Sequence, residues 1–279
     1  MKDERKRMRV TDLQAMKERG EPICMLTAYD YTMARLLDDA VDVLLVGDSL
    51  GMVQLGYDTT LPVSMEEMIH HTAAVNRGRK HALLVADMPF LSYQGDVNHA
   101  VMNAGSFLQK AGADAVKLEG GRTMTDVIAR MVDVGIPVMG HLGLTPQSVH
   151  KFGGFKVQGR TQRAAEALHQ DALALQEAGV FSIVLEGIPA SLATELTAAL
   201  TVPTIGIGAG NGCDGQVLVT NDMLGMFDDF TPKFVKRYAN IGNQIRQAAA
   251  AYRQEVQSRS FPGPEHIYAS KADQEATKH

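Results

Sequence analysis

The chain has only two cysteines, Cys24 and Cys213, in 279 residues. That excludes a disulfide framework and makes a reducing cytoplasm the expected setting. No apolar run approaches the roughly 20 residues of a membrane span, so no membrane association is expected. No basic stripe interrupts the net charge of −5, which argues against a nucleic-acid partner. Met1 to Arg9 is highly charged with no apolar stretch behind it, and does not read as a secretory signal. A dinucleotide fingerprint is also missing: Gly206-Ile207-Gly208-Ala209-Gly210 lacks the G-x-G-x-x-G spacing and follows the wrong strand. Low-complexity and linker segments are absent before the last dozen residues. One domain over 1–279 is expected, with flexible ends at about 1–10 and 267–279.

What is present is enough apolar material for a full core, 45% of residues against 21% charged. It comes in short runs that end in an acid. Val41 to Val46 leads through Gly47 to Asp48; Leu83-Leu84-Val85-Ala86 ends in Asp87. Ala115-Val116-Lys117-Leu118 ends in Glu119, and Ser182-Ile183-Val184-Leu185 in Glu186. A short continuous apolar run reads as a buried parallel strand, and a carboxylate fits such a strand only at its end. Further strands are expected at Ile23–Thr27, Pro137–His141, Thr204–Ile207 and Gln216–Thr220, with helices between them. Thr11-Asp12-Leu13-Gln14 and Ser64-Met65-Glu66-Glu67 have the capping-box form, and the first predicts a helix to Arg19 that plugs the barrel bottom. Asp96 caps another helix, and an alanine-rich one is expected over Pro232–Arg259. About eight strand–helix units in a chain of this length predict an α/β fold, a closed (β/α)₈ barrel.

The strand-end acids then share the carboxyl face, where such barrels bind ligands. Asp48 and Asp87 on neighbouring strand ends repel each other unless a cation lies between them, and hard oxygen ligands select Mg²⁺. Taken singly, each acid reads equally well as a helix cap or an arginine partner. Lys117 and Glu119, two apart on one strand, share a face. They read as an internal ion pair, and equally as a substrate-carboxylate contact beside a metal contact. Glu186, in an apolar rim with Leu185, Ile188 and Pro189, has the surroundings that raise a carboxyl pKa toward that of a general base. Ser49 is a candidate substrate contact. His141, Tyr29 and Asp30 are weaker candidates, and Cys213 has no evident base partner. The glycine-bearing loop from Phe152 to Arg160 reads as a lid or as a fixed oligomer contact.

Seven motifs carry a resemblance. They are Leu26-Thr27-Ala28-Tyr29-Asp30-Tyr31, Val46-Gly47-Asp48-Ser49-Leu50-Gly51-Met52, Ala86-Asp87-Met88-Pro89-Phe90, Val116-Lys117-Leu118-Glu119-Gly120-Gly121, Gly140 through Ser148, Leu185-Glu186-Gly187-Ile188-Pro189 and Gly206 through Gly210. In this order and spacing, from about Thr11 to His266, the sequence resembles the ketopantoate hydroxymethyltransferase family; Gln54 and Asn211-Gly212 depart slightly from its pattern. The resemblance implies a barrel of the phosphoenolpyruvate mutase/isocitrate lyase type, cytoplasmic and assembled as a homo-oligomer, typically a decamer. It implies transfer of a hydroxymethyl group from 5,10-methylenetetrahydrofolate to 3-methyl-2-oxobutanoate, giving 2-dehydropantoate in pantothenate biosynthesis. By resemblance, Mg²⁺ falls to Asp48, Asp87 and Glu119, ketoacid binding to Asp48, Ser49, Asp87 and Lys117, and proton abstraction to Glu186. Two alternatives stay open. One is another Mg²⁺-dependent α-ketoacid lyase or mutase of the same superfamily, disfavoured because no Lys-x-Cys-Gly loop occurs. The other is a non-catalytic ligand-binding barrel, disfavoured because all four acids and Lys117 are present.

Overall fold

The computed structural model describes residues 6–227 and 231–268; most of the expected flexible ends lies outside those bounds. The chain divides into two compact units, Met1–Thr220 with Pro232–Val235, and Asn221–Thr231 with Lys236–His279. Among the described residues no helix is long and apolar enough to cross a membrane.

The first unit is built on eight parallel strands: β1 (Ile23–Thr27), β2 (Val43–Val46), β3 (Leu83–Asp87), β4 (Ala115–Glu119), β5 (Val138–Gly143), β6 (Ser182–Glu186), β7 (Thr204–Ile207) and β8 (Gly215–Leu218). They follow one another in sequence order and close, with β8 pairing back on β1 (Met25 opposite Val217). This is the expected α/β barrel. Side-chain alternation splits each apolar run between two cores. Leu44, Val46, Leu84, Ala86, Val116, Leu118 and Leu185 pack outward against the helices. Val43, Leu45, Leu83, Val85, Ala115, Met139, Val184 and Ile205 fill the interior.

Leu13 and Met16 belong to that interior core, so the helix Val10–Arg19 plugs the amino end of the barrel as expected. It starts before Thr11, because Asp12 accepts from the N–H of Arg9 at 2.8 Å and sets the cap two residues earlier, at Arg9. Lys17 secures the plug through Asp214 at 2.8 Å and the Thr197 carbonyl at 3.0 Å. The box at Ser64/Glu67 and the cap at Asp96 form as the sequence predicts, and Asp30 caps the helix Tyr31–Leu37.

In the second unit the alanine-rich helix spans Ile241–Ser258 rather than beginning at Pro232. Pro232 opens a turn closed by the Val235 N–H on its carbonyl, and the helix proper waits until Asn240.

Leu13 is wholly buried. Leu13→Ala is expected to cost about 2–5 kcal/mol in denaturant unfolding of the full chain. A loss well below 1 kcal/mol would mean that the barrel closes without its plug.

Candidate active site

The carboxyl ends of β2 to β6 place the site. Inward positions at the top of β3 and β4 put Asp87 and Lys117 opposite each other in register, and Lys117 Nζ lies 2.6 Å from Asp87 Oδ1. Glu119 is the next inward residue of β4 and pairs in register with His141 of β5. Asp48 stands just past β2, where its N–H donates to Asp87 Oδ2 at 3.1 Å. Gly47 is required there, since a Cβ would come within 2.8 Å of Ser49 Oγ and 3.4 Å of Asp87 Oδ2. Ser49 Oγ is 2.9 Å from the Tyr29 hydroxyl. The end of β6 carries Glu186.

All of these groups except Ser49 and Glu186 are at least nine-tenths buried. Burial raises the Asp48 carboxyl pKa, and Asp87 beside it raises it further. Burial and the charge of Asp48 push Glu119 well above the usual carboxylate range. Burial alone pulls the Lys117 ammonium down, but Asp87, Glu119 and Asp48 outweigh it, and Lys117 stays charged. His141 is held well below its ordinary value by burial and by Lys117, so its imidazole is neutral. Lysine can only donate, so Nδ1, 3.3 Å from Lys117 Nζ, accepts and Nε2 carries the proton. Nε2 lies 3.1 Å from Glu186 Oε2, off hydrogen-bond geometry. Burial raises the Glu186 pKa to about 7.

The structure therefore brings Asp48, Asp87, Lys117 and Glu119 into one buried cluster, with Ser49 at its edge and Glu186 joined to it through His141. His141, a weaker candidate from the sequence, lies between Lys117 and Glu186, within 3.3 Å of the one and 3.1 Å of the other. Gln147 and Tyr93 were not singled out. Gln147 donates to Asp48 and to Glu119, and Tyr93 holds Gln147 at 2.7 Å. Gln147 lies in the single 3₁₀ turn Pro146–Ser148, too short for periodicity to carry a signal; its only sequence trace is its place in the Gly140–Ser148 motif. Cys213 is part-buried with a raised pKa, mainly from burial, which does not favour a thiolate.

A cavity of about 780 Å³ adjoins the cluster where it meets Glu119 and Gln147. Phe90, Met124, Leu142 and Leu168 line it with apolar surface, Gln94 and Gln158 with amides, and Lys151 with a cation. The 152–160 loop forms part of its wall; the Gln158 N–H donates to the Gly187 carbonyl at 2.9 Å.

The donor set suits a hard divalent cation. Three buried carboxyls share one ammonium, and two of them are pushed toward protonation, first by burial and then by the neighbouring carboxylates. Their ligand atoms are not drawn to within 4.8 Å of one another as those of Asp38, Asp39 and His81 are. That second group is no rival. Both Asp38 oxygens already accept main-chain N–H groups from Lys80, His81 and Ala82, and the Asp39 side chain is 89% exposed.

A family profile described as ketopantoate hydroxymethyltransferase matches residues 7–264. A protein of Syntrophus aciditrophicus (strain SB) named 3-methyl-2-oxobutanoate hydroxymethyltransferase is 60% identical, the match covering 92% of this chain and 94% of that one. One of the same name from Moorella thermoacetica is 59% identical over 95% of this chain and 99% of its own length. Among solved structures, a 2,3-dimethylmalate lyase of the PEP mutase/isocitrate lyase superfamily aligns with a TM-score of 0.55 at 15% identity, covering 96% of this chain and 93% of that one. A phosphonopyruvate hydrolase complex with oxalate and Mg²⁺ aligns at 0.58 and 13% identity, covering 97% and 95%. At such identities the likeness establishes the shared barrel and nothing more.

Among the described residues, Lys117 is the only cation facing the three acids. Lys117→Met is expected to lower stability by about 3–5 kcal/mol near neutral pH, because it strands buried carboxylate charge. The loss should shrink as pH falls and the carboxyls take up protons, a trend that urea unfolding at several pH values reads directly. A pH-independent loss would assign Lys117 to packing.

Proposed function

Because the chain belongs to the ketopantoate hydroxymethyltransferase family, we infer that it catalyses hydroxymethyl transfer from 5,10-methylenetetrahydrofolate to 3-methyl-2-oxobutanoate, giving 2-dehydropantoate for pantothenate biosynthesis. The observation that carries this reading is the pairing of two environments at one barrel mouth. One is a carboxyl tuned to about 7 at Glu186; the other is an acid cluster around Lys117 that suits a cation and an anionic substrate.

Asp48, Asp87 and Glu119 would hold Mg²⁺, which when bound supplies Lewis-acid polarisation of the keto group. Lys117 offsets the negative charge of the ketoacid, and Ser49, steadied by Tyr29, offers it a hydrogen bond. Asp48 and Asp87 orient the ketoacid beside them. Glu186 takes the proton from C3, and the C–H electron pair moves into the C2–C3 bond as charge passes to the keto oxygen. A carboxylate with a pKa near neutrality accepts that proton at physiological pH and can return it. The neutral imidazole of His141 keeps a second positive charge away from Glu186 and so leaves its basicity intact. Water adds to the methylene carbon of the donor as its two C–N bonds break, the two nitrogens take the protons of the water, and tetrahydrofolate leaves with the one-carbon unit at the aldehyde level. The nucleophilic C3 bonds to that carbon, the carbonyl electron pair passes to its oxygen, and the oxygen takes up a proton to become the hydroxyl. The cavity of about 780 Å³ is large enough for a drug-sized donor and combines flat apolar walls with amides and a lysine, which suits a pterin with an acidic tail. A Mg²⁺-dependent lyase of the same barrel class is the remaining alternative, and no observation in this chain favours it.

Solvent-deuterium exchange at C3 of 3-methyl-2-oxobutanoate, followed by NMR without folate, tests the first half-reaction. Exchange that requires Mg²⁺ is expected; exchange indifferent to metal would remove the cation from the reading. Glu186→Gln should bind the ketoacid and lose exchange, and parental exchange in that variant would remove Glu186 as the base. The sign of the pH dependence follows from the raised carboxyl. Glu186 is active only when deprotonated, so the exchange rate should climb with pH through about 7 and level off above it. A rate that falls over that range would contradict the assignment.

A further inference from the structure

Five hydrogen bonds converge on Gln147, a residue that the chemistry above does not use. Its Nε2 donates to Asp48 Oδ2 and to the Met88 carbonyl, both at 2.9 Å. Its Oε1 accepts from the Tyr93 hydroxyl at 2.7 Å and from Gln94 Nε2 at 3.0 Å. Its main-chain N–H donates to Glu119 Oε2 at 3.0 Å. The orientation of the amide is not arbitrary. The Met88 carbonyl can only accept and the Gln94 NH₂ can only donate, so Nε2 must face Asp48. Tyr93 closes the ring, because its oxygen accepts the N–H of Glu119 at 3.1 Å. Two of the three acids in the cluster are thus tied to one neutral, buried residue, Asp48 through its side chain and Glu119 through its main chain.

A neutral amide cannot balance the charge of the acids as Lys117 does. What it can do is fix where their oxygens lie. Asp48 and Glu119 are each held by Gln147 through one oxygen, which leaves each a second oxygen for ligation. We propose that Gln147 is a positioning residue, which sets the geometry in which Asp48 and Glu119 meet a divalent cation. The inference rests on the cation-dependent reading above. Groups that orient metal ligands from behind typically change metal affinity about 10–100-fold when they are lost.

The test uses the full chain and Mn²⁺ alone as the probe, with affinity read by electron paramagnetic resonance in the absence of ketoacid. Gln147→Met keeps the chain length and the main-chain bond to Glu119, and removes the side-chain hold on Asp48 together with the bonds that anchor the amide to the Met88 carbonyl, Tyr93 and Gln94. Its Mn²⁺ dissociation constant should rise about tenfold or more. The Mn²⁺ needed for half-maximal C3 exchange should rise in parallel. Tyr93→Phe, which frees the far end of the amide, should move both quantities the same way by less. A folded Gln147→Met variant whose Mn²⁺ affinity stays within about twofold of the parent overturns the proposal and leaves the amide a packing role. If Gln147→Met does not fold, the same comparison is decided by Tyr93→Phe. A parent chain that binds no Mn²⁺ overturns the cation reading, and this proposal with it. Binding by the parent with unchanged variants overturns this proposal alone.

Discussion

Asp48, Asp87 and Glu119 occupy a barrel mouth that is almost closed to water, each 4–6% exposed, and among the described residues Lys117 is the single cation set among them. Two like charges about 4 Å apart repel by about 4 kcal/mol at the effective dielectric of a protein. One ammonium cannot offset three carboxylates. The excess must be taken up by protons, as the raised Asp48 and Glu119 carboxyls indicate, or by a further positive charge brought from outside. A site arranged in this way binds a cation and an anion better together than either alone, because each relieves part of the imbalance the other leaves. The rest of the mouth follows from this constraint. Gln147 and Tyr93 hold the acids without adding charge, and His141 is kept neutral beside the ammonium.

The strands make that constraint possible. A parallel strand with both faces covered has no place for a charge except where it leaves the sheet. The inward alternation of β4 puts Lys117 and Glu119 on one face while Val116 and Leu118 pack outward. Close approach of neighbouring ends then imposes glycine. At Gly143 the backbone takes a φ of 95°, and a Cβ would overlap the Glu186 carbonyl and the side chain of Ile188. The Leu144 N–H donates to that same carbonyl at 2.8 Å. The main chain that carries the base is thereby tied to the end of β5, two residues past His141.

The acids were legible because strand and loop chemistry left clear traces. Asp87, Glu119 and Glu186 each end an apolar run, and a period of two was enough to pair Lys117 with Glu119. The plug helix was legible from a capping pattern, although Asp12 rather than Thr11 sets its start. What could not be read was tertiary. Gln147 reaches Asp48 from 99 residues away. Nothing local distinguishes its amide from a surface glutamine, because its role comes from partners on other strands. The helix start near Pro232 was misplaced for a related reason. Proline opens a turn as readily as a first helical turn, and the difference lies in the Val235 N–H closing on it.

Four carboxyls of similar intrinsic strength acquire two roles here through their neighbours. Asp48, Asp87 and Glu119 face one another and Lys117, so their chemistry is collective and suited to holding charge. Glu186 stands apart. Its pKa rises from burial, and the only opposing influence is the more distant Lys117. Between the two sets lies His141, whose imidazole accepts from the ammonium on one side and places Nε2 3.1 Å from Glu186 Oε2 on the other. Had that ring been charged, it would have pulled the Glu186 carboxyl toward the ordinary range and cost it basicity. The same burial that deprives His141 of a proton therefore leaves the Glu186 carboxyl, raised to about 7, able to take a proton from carbon near neutral pH.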